Sequence, residues 1–326
     1  MKVIITGGGG FLGSQLANHL LQKETLTGRS GKQEEIKQII LFDKNFPVSN
    51  SDDRIREFSG DISDLNPIEL INEKSESISI FHLASMVSGE CEVQYDDAIR
   101  VNLDGGRNIF EMARTINGRP RVVFASSIAS FGGAVMPTPI SDIAKQTPQT
   151  TYGMTKAICE LLINDHTRKG HFDGRSARLP TVIIRPGKPN AAASSWASGM
   201  FREPLKGEVC KLPVKRNQSH PITGFKTVVE SFVALHEIDE AKLGDDRAYG
   251  LPALSVTPNM AEKVLQEIST EKKMKIGKIE DAFEPKIQSI VDNWPTAVDG
   301  FRAEAIGLPK PPTLKKIIEQ YLELFN

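Results

Sequence analysis

Short, nearly unbroken apolar runs punctuate the first half of the chain, and stretches of helical spacing separate them. Val3–Thr6, Ile39–Phe42, Ile78–Leu83 and Val122–Ala125 are such runs; with the short Arg56–Ser59 stretch counted, Thr181–Ile184 is a sixth candidate strand. Between them, Phe11 to about Lys23 sets Leu12, Leu16, Leu20 and Leu21 at helical intervals, and Tyr95–Thr115 and Tyr152–Arg168 are longer helical stretches. Thr25–Gln33, rich in Thr, Gly, Ser and Lys, reads as an exposed loop. Strands that are apolar on both faces must be covered on both faces. The alternation therefore predicts an α/β fold with a doubly wound parallel sheet.

The texture changes after Pro186. Pro189, Pro204, Pro213 and Pro221 break up a loop-rich stretch, and helical patterns return at Phe225–Glu237, Pro258–Ile268 and Thr313–Phe325. The expected division is a nucleotide-binding domain over 1–187, to which 220–255 returns, and a smaller substrate-binding region made of 188–219 and 256–326. A net charge of −1 excludes a generally basic nucleic-acid binder. Three cysteines without a CxxC pair and six histidines without HxxxH spacing give no metal site and no disulfide framework. The chain runs straight into its first strand without a signal-like segment, and no apolar run approaches the roughly 20 residues of a membrane span. These features predict a soluble cytoplasmic protein with no membrane or nucleic-acid partner.

The first strand ends in Thr6-Gly7-Gly8-Gly9-Gly10-Phe11-Leu12-Gly13, which fits GxxGxxG and opens the first helix. Gly7 permits a tight turn. Gly10 lets backbone N–H groups approach a pyrophosphate at the helix N-terminus, and Gly13 lets helix and strand pack closely. Gly7, Gly10, Phe11, Leu12 and Gly13 are thus candidate dinucleotide-binding residues of a Rossmann-like domain. Asp43, at the end of the second long strand, would accept hydrogen bonds from the adenosine ribose and repel a 2′-phosphate, favouring NAD over NADP; Lys44, its neighbour, has the opposite tendency.

A second group of residues carries chemistry. Ser126 and Ser127 end the VVFA strand, at the sheet edge where open α/β folds bind ligands. Tyr152 and Lys156 are four apart, so on a helix they share a face. A free tyrosine titrates near pH 10, and a neighbouring ammonium would favour its phenolate. Tyr152 is then a candidate base, Ser127 a hydrogen-bond partner for the substrate oxygen, and Lys156 a ligand of the nicotinamide ribose.

These motifs resemble the extended short-chain dehydrogenase/reductase superfamily, the NAD-dependent epimerases and dehydratases. Gly60-Asp61-Ile62, His82-Leu83-Ala84-Ser85, Val101-Asn102, Ser126–Gly132, Tyr152–Lys156 and Arg185-Pro186-Gly187 come in that superfamily's order across about residues 1–255. The resemblance implies that Asp61 and Ile62 bracket the adenine. It implies that Leu83, Ala84 and Asn102 line the cofactor channel, that Ser127, Tyr152 and Lys156 are catalytic, and that Pro186 and Gly187 lie by the nicotinamide. It also implies a homodimer through the helices at Tyr95–Thr115 and Tyr152–Arg168. Asp173–Gly207, with Ser127–Gly133 and Thr147–Asp165, is similar to a narrower family, the D-erythronate dehydrogenases, which oxidise the hydroxyl beside a sugar-acid carboxylate to a 2-oxo acid. The Cys210–Ile222 segment departs from that pattern.

Lys188–Arg202 follows the nicotinamide-side strand. There Asn190, Ser194, Ser195 and Ser198 offer neutral hydrogen bonds to a polyol, Arg202 a fork for a carboxylate and Lys188 a further cation. Ser85 is a further candidate for substrate contact. His220 reads as a solvated loop residue, and Cys91 and Cys159 as inert apolar groups. The sequence thus predicts NAD-dependent oxidation of a sugar acid. The alternative is a nucleotide-sugar epimerase in which Lys206, Lys215 or Arg216 grips a pyrophosphate. Ile128 and Ala129 stand where a dehydratase needs an acidic pair, and the intact Tyr152 and Lys156 argue against a non-catalytic scaffold.

Overall fold

A computed structural model of the chain describes residues 1–28, 30–47, 50–64, 77–189 and 192–325. Seven parallel strands form the central sheet in the order 248–250, 173–179, 121–127, 78–82, 2–6, 38–43, 55–59. The chain winds outward from 2–6 through 38–43 to 55–59, then returns to 78–82 on the other side of 2–6. That reversal places a crevice at the C-terminal ends of the first strand and its neighbour.

Alternation along each strand explains why both faces need cover. Val3, Ile5, Ile39, Leu41, Phe81 and Val123 point into one core with the helices Phe11–Lys23 and Phe225–Glu237. Ile4, Ile40, Ile80, Val122 and Phe124 point the other way, onto the helices Gly105–Thr115 and Thr151–Arg168. A third core lies beyond the sheet. It joins the helices Ser195–Leu205, Pro258–Lys272 and Leu314–Phe325 to a three-stranded sheet ordered 254–256, 220–224, 181–183. Among the described residues no helix is long and apolar enough to cross a membrane.

Three expectations are corrected. Thr181–Ile183 does not join the central sheet; it pairs with His220–Gly224 in the side sheet. The place next to Arg121–Ser127 belongs instead to Asp173–Leu179, whose sequence DGRSARL gives no apolar signal. Its charged residues are buried in pairs: Arg175 with Asp173, and Arg178 with Glu160 and Asp142. Thr25–Gln33 is no plain loop, because Thr25–Thr27 and Gln33–Glu35 form an antiparallel hairpin with Leu26 fully buried. Glu237 ties that hairpin down by accepting bonds from the Thr27 amide at 2.9 Å and Gln33 Nε2 at 2.6 Å.

Candidate active site

The glycine turn is built for close approach. A Cβ on Gly13 would lie 2.1 Å from the Gly7 carbonyl, so only a bare backbone lets this helix begin against the first strand. The helix has no side-chain cap and no acid in its first turn, leaving its N–H groups turned to the crevice. Above it runs a cleft in three joined chambers. The first, about 500 Å³, is lined by Gly7, Gly10, Asp43, Ile62, Leu83 and Ala84 among others. The second, about 280 Å³, adds Phe11, Leu12, Gly13, Tyr152, Lys156 and Arg185. The third, about 260 Å³, is lined by Ser88, Ser127, Tyr152, Thr181, Ser194 and Trp294 with apolar neighbours. Bare glycine backbone, an uncapped helix start and a carboxylate at the next strand end fit a dinucleotide. Another cavity of about 500 Å³ lies at the opposite sheet edge, by Arg121 and Asp173, and holds no predicted site residue.

The Asp43 carboxylate accepts the Gly9 amide at 3.0 Å and its neighbour Lys44's amide at 2.7 Å, so the loop itself aims it at the first chamber. Ser85 lines the first two chambers and donates to the Met86 carbonyl. Asn102 is not part of the channel surface. It is buried in a π-helical segment, Ile99–Asp104, where it accepts the Met86 amide at 2.7 Å and donates to the Met86 carbonyl at 3.3 Å, fixing the wall from behind. Pro186 and Gly187 follow Arg185 at the rim, half-buried and exposed. Asp61 is engaged by Lys44 at 3.0 Å and Arg100 at 2.8 Å, and these cations with Ser63 hold its carboxyl well below the usual range.

Thr150 caps the helix Thr151–Arg168 by accepting the Gly153 amide at 3.1 Å. A Cβ on Gly153 would lie 2.0 Å from the Ala129 carbonyl. That bare contact seats the helix start against the 127–130 turn and brings Tyr152 beside Ser127 in the wall of the third chamber. One turn on, Lys156 Nζ donates to the Ala125 carbonyl at 2.9 Å and stands 5.3 Å from the centre of the Tyr152 ring. The predicted acidification of the phenol by this lysine does not appear. Burial dominates and pushes Tyr152 up to about 12, with the Ser127 hydroxyl pulling the other way. Burial likewise lowers Lys156 to about 8. The ammonium is turned to a backbone carbonyl and the ring face, so it does not offset the loss of water.

The substrate-side residues fare unevenly. Ser194 lines the third chamber, and Asn190 lies outside the described residues. Ser198 is buried and bonded to the Arg185 amide and Val182 carbonyl. Ser195 also has a partner, and Lys188 is exposed. Arg202 is not an open fork. It is 2% exposed and bonded to Glu203 and to the Arg185 carbonyl, because its helix side faces the third core. His220 is no loop residue either. It sits buried on its strand, 2.7 Å from Thr181 Oγ1, between Trp196 and Trp294. Thr181, Trp294, Ser88 and Arg185 line the cleft without having been predicted. Two of them carried a usable signal: Arg185 through the Arg185-Pro186-Gly187 motif, and Trp294 as one of two tryptophans.

Burial lowers His220 to about 4. A histidine depressed in the folded state stabilises above its unfolded pKa of about 6.5 and loses that contribution as pH falls toward 4. Its share is about 3 kcal/mol between those limits. The expected result is that His220→Gln flattens the stability-versus-pH curve between about pH 6.5 and 4 in urea unfolding. An unchanged slope would mean that His220 does not titrate in isolation from water.

Comparison with known proteins yields one family model, described as the NAD dependent epimerase/dehydratase family, matching residues 3–245. The chain is 39% identical over 323 residues to a D-erythronate dehydrogenase of Cupriavidus necator, covering 99% of this chain and 98% of the relative. It is 39% identical over 325 residues to the Haemophilus influenzae protein of the same name, covering 99% of each. Among solved structures it is similar to a nucleoside-diphosphate-sugar epimerase from Agrobacterium tumefaciens, with a TM-score of 0.89 and 34% identity over 100% of this chain and 94% of that one.

Proposed function

The chain belongs to the NAD dependent epimerase/dehydratase family, and from that premise we propose that it is a dehydrogenase acting on a sugar acid. It oxidises the hydroxyl beside the carboxylate of D-erythronate, or of a close relative, to the 2-oxo acid. One observation carries the reading: among the described lining residues, Tyr152 is the titratable side chain shared by the second and third chambers. It therefore stands between the place for the cofactor and the place for a small polar substrate. The near-full-length similarity to D-erythronate dehydrogenases supports the substrate class.

When bound, NAD supplies a cationic ring that accepts hydride. The glycine turn, with Phe11 and Leu12, holds the pyrophosphate through backbone N–H groups, and Asp43 takes the adenosine ribose. Ile62, Leu83 and Ala84 pack along the first chamber. Tyr152 accepts the proton of the substrate hydroxyl as the C–H hydride departs, leaving a carbonyl. Ser127 holds the substrate oxygen, and Lys156 binds the nicotinamide ribose and keeps a positive charge near the phenol. No cation lines the third chamber among its described residues; of the two in the second, Lys156 and Arg185, Arg185 is left to reach the carboxylate in place of Arg202. The region formed by 188–219 and 256–326 closes the substrate side. Exposed Val93, Tyr95 and Leu161, on or beside the two long helices, support a homodimer through them.

The epimerase reading draws on the Agrobacterium structure. It is weakened by the cations it needs: Lys206, Lys215 and Arg216 are not among the residues lining the third chamber, and Arg216 is bonded to Glu262 and Asp281. An absorbance screen for NADH across four- to six-carbon aldonates, with UDP-sugars as the contrast, separates the two. The expected result is NADH accumulating with a four-carbon acid. Silence with every aldonate, or interconversion of a UDP-sugar without net NADH, overturns the proposal.

A further inference from the structure

Two cations line the first chamber beside Asp43. Lys44 comes from the end of the strand Gln38–Asp43, and Arg100 from the π-helical segment on the far side of the cleft. A basic side chain at this place is what accommodates the additional phosphate of NADP. Here both point to one carboxylate. Asp61 Oδ2 takes Lys44 Nζ at 3.0 Å and Arg100 Nη1 at 2.8 Å. Its other oxygen accepts the Ser63 amide at 3.0 Å and the Ser63 hydroxyl at 2.7 Å, so the carboxylate is anchored to its own turn. Arg100 also bonds Ser63 and reaches Asp97 at 3.3 Å. Lys44 is 53% exposed and Arg100 41%, so both would turn to a phosphate if released.

We propose that Asp61 is a positioning residue for cofactor choice: by holding Lys44 and Arg100 it denies a 2′-phosphate its counter-charges, and so favours NAD from a position beyond the ribose. This is a second device, separate from the direct repulsion by Asp43, and it rests on the NAD reading above. It acts through the two cations, so its signature is a change in preference rather than a general loss of binding.

The test is calorimetric titration of the full-length protein with NAD and with NADP. Asp61→Asn should shift the ratio of the two dissociation constants toward NADP by about tenfold, the worth of one charge-assisted hydrogen bond. That shift should fall away in high salt and vanish in Asp61→Asn/Lys44→Met/Arg100→Met. A ratio moved less than about threefold, or moved equally in the triple variant, overturns the proposal; a merely structural role would weaken both cofactors and leave the ratio in place. Should Asp61→Asn not fold, Lys44→Met/Arg100→Met decides. With Asp61 retained, NADP binding should change by less than about threefold, whereas a tenfold loss would show that the cations already serve the phosphate. Failure of the wild-type protein to bind NAD at all would instead strike the functional reading itself.

Discussion

Tyr152→Phe should lower turnover by about 10² to 10⁴-fold while NAD still binds. The substitution removes one oxygen and leaves the ring that packs against the third core. Its folding cost is therefore small, and the loss is chemical. Burial holds the phenol up to about 12, so in the folded protein it is poised as a hydroxyl and not as a phenolate. Deprotonation must be driven locally: by Ser127, which already favours the charged form, and by a cationic ring beside it. Single-turnover kinetics with NAD and the sugar acid, alongside direct titration of NAD, make the check. Turnover within threefold of wild type would remove Tyr152 from the proton transfer. Loss of NAD binding together with turnover would reassign it to the cofactor site.

Arg178→Met should cost about 3–5 kcal/mol of stability, more than an ordinary surface or even core substitution. Arg178 is nearly sealed from water, with a side-chain exposure of 4%. It bonds both oxygens of Glu160 and reaches Asp142 at 2.9 Å, while its guanidinium lies 4.8 Å above the Phe131 ring. Methionine fills much of the space but leaves Glu160 buried without its guanidinium, and Asp142 with only Arg302, at 3.6 Å. The effect touches the site as well. Glu160 also accepts from Ser126, next to Ser127, and lies one turn beyond Lys156 on the same helix. Urea unfolding of the variant measures the loss. A cost below about 1 kcal/mol would mean that water or proton uptake already relieves this cluster.

The same strand shows where reading a sequence stops. The runs at Val3–Thr6, Ile39–Phe42, Ile78–Leu83 and Val122–Ala125 were legible because burial on both faces leaves no room for polar residues. Asp173–Leu179 is buried just as deeply, yet it reads as polar, since its Asp and Arg residues satisfy each other and their neighbours only once the chain has folded. Thr181–Ile183 errs the other way: an apolar run announces burial but not which sheet it joins. At the site, the glycine turn and the Tyr152–Lys156 spacing are local and therefore readable. Arg202 and His220 were misread because their partners, the Arg185 carbonyl and Thr181, come from a strand and turn that only tertiary packing brings near. The sign of the Tyr152 shift was also beyond reach, because it depends on how much water the folded cleft excludes.

In a dehydrogenase the hydride leaves the substrate for good, whereas an epimerase returns it. The direct measurement supplies D-erythronate carrying deuterium at the carbon beside the carboxylate, together with NAD, and follows the label by mass spectrometry. The expected result is one deuterium in each NADH released to solution and a 2-oxo acid formed in equal amount. Deuterium retained in the sugar acid, or washed out with no NADH released, would contradict it.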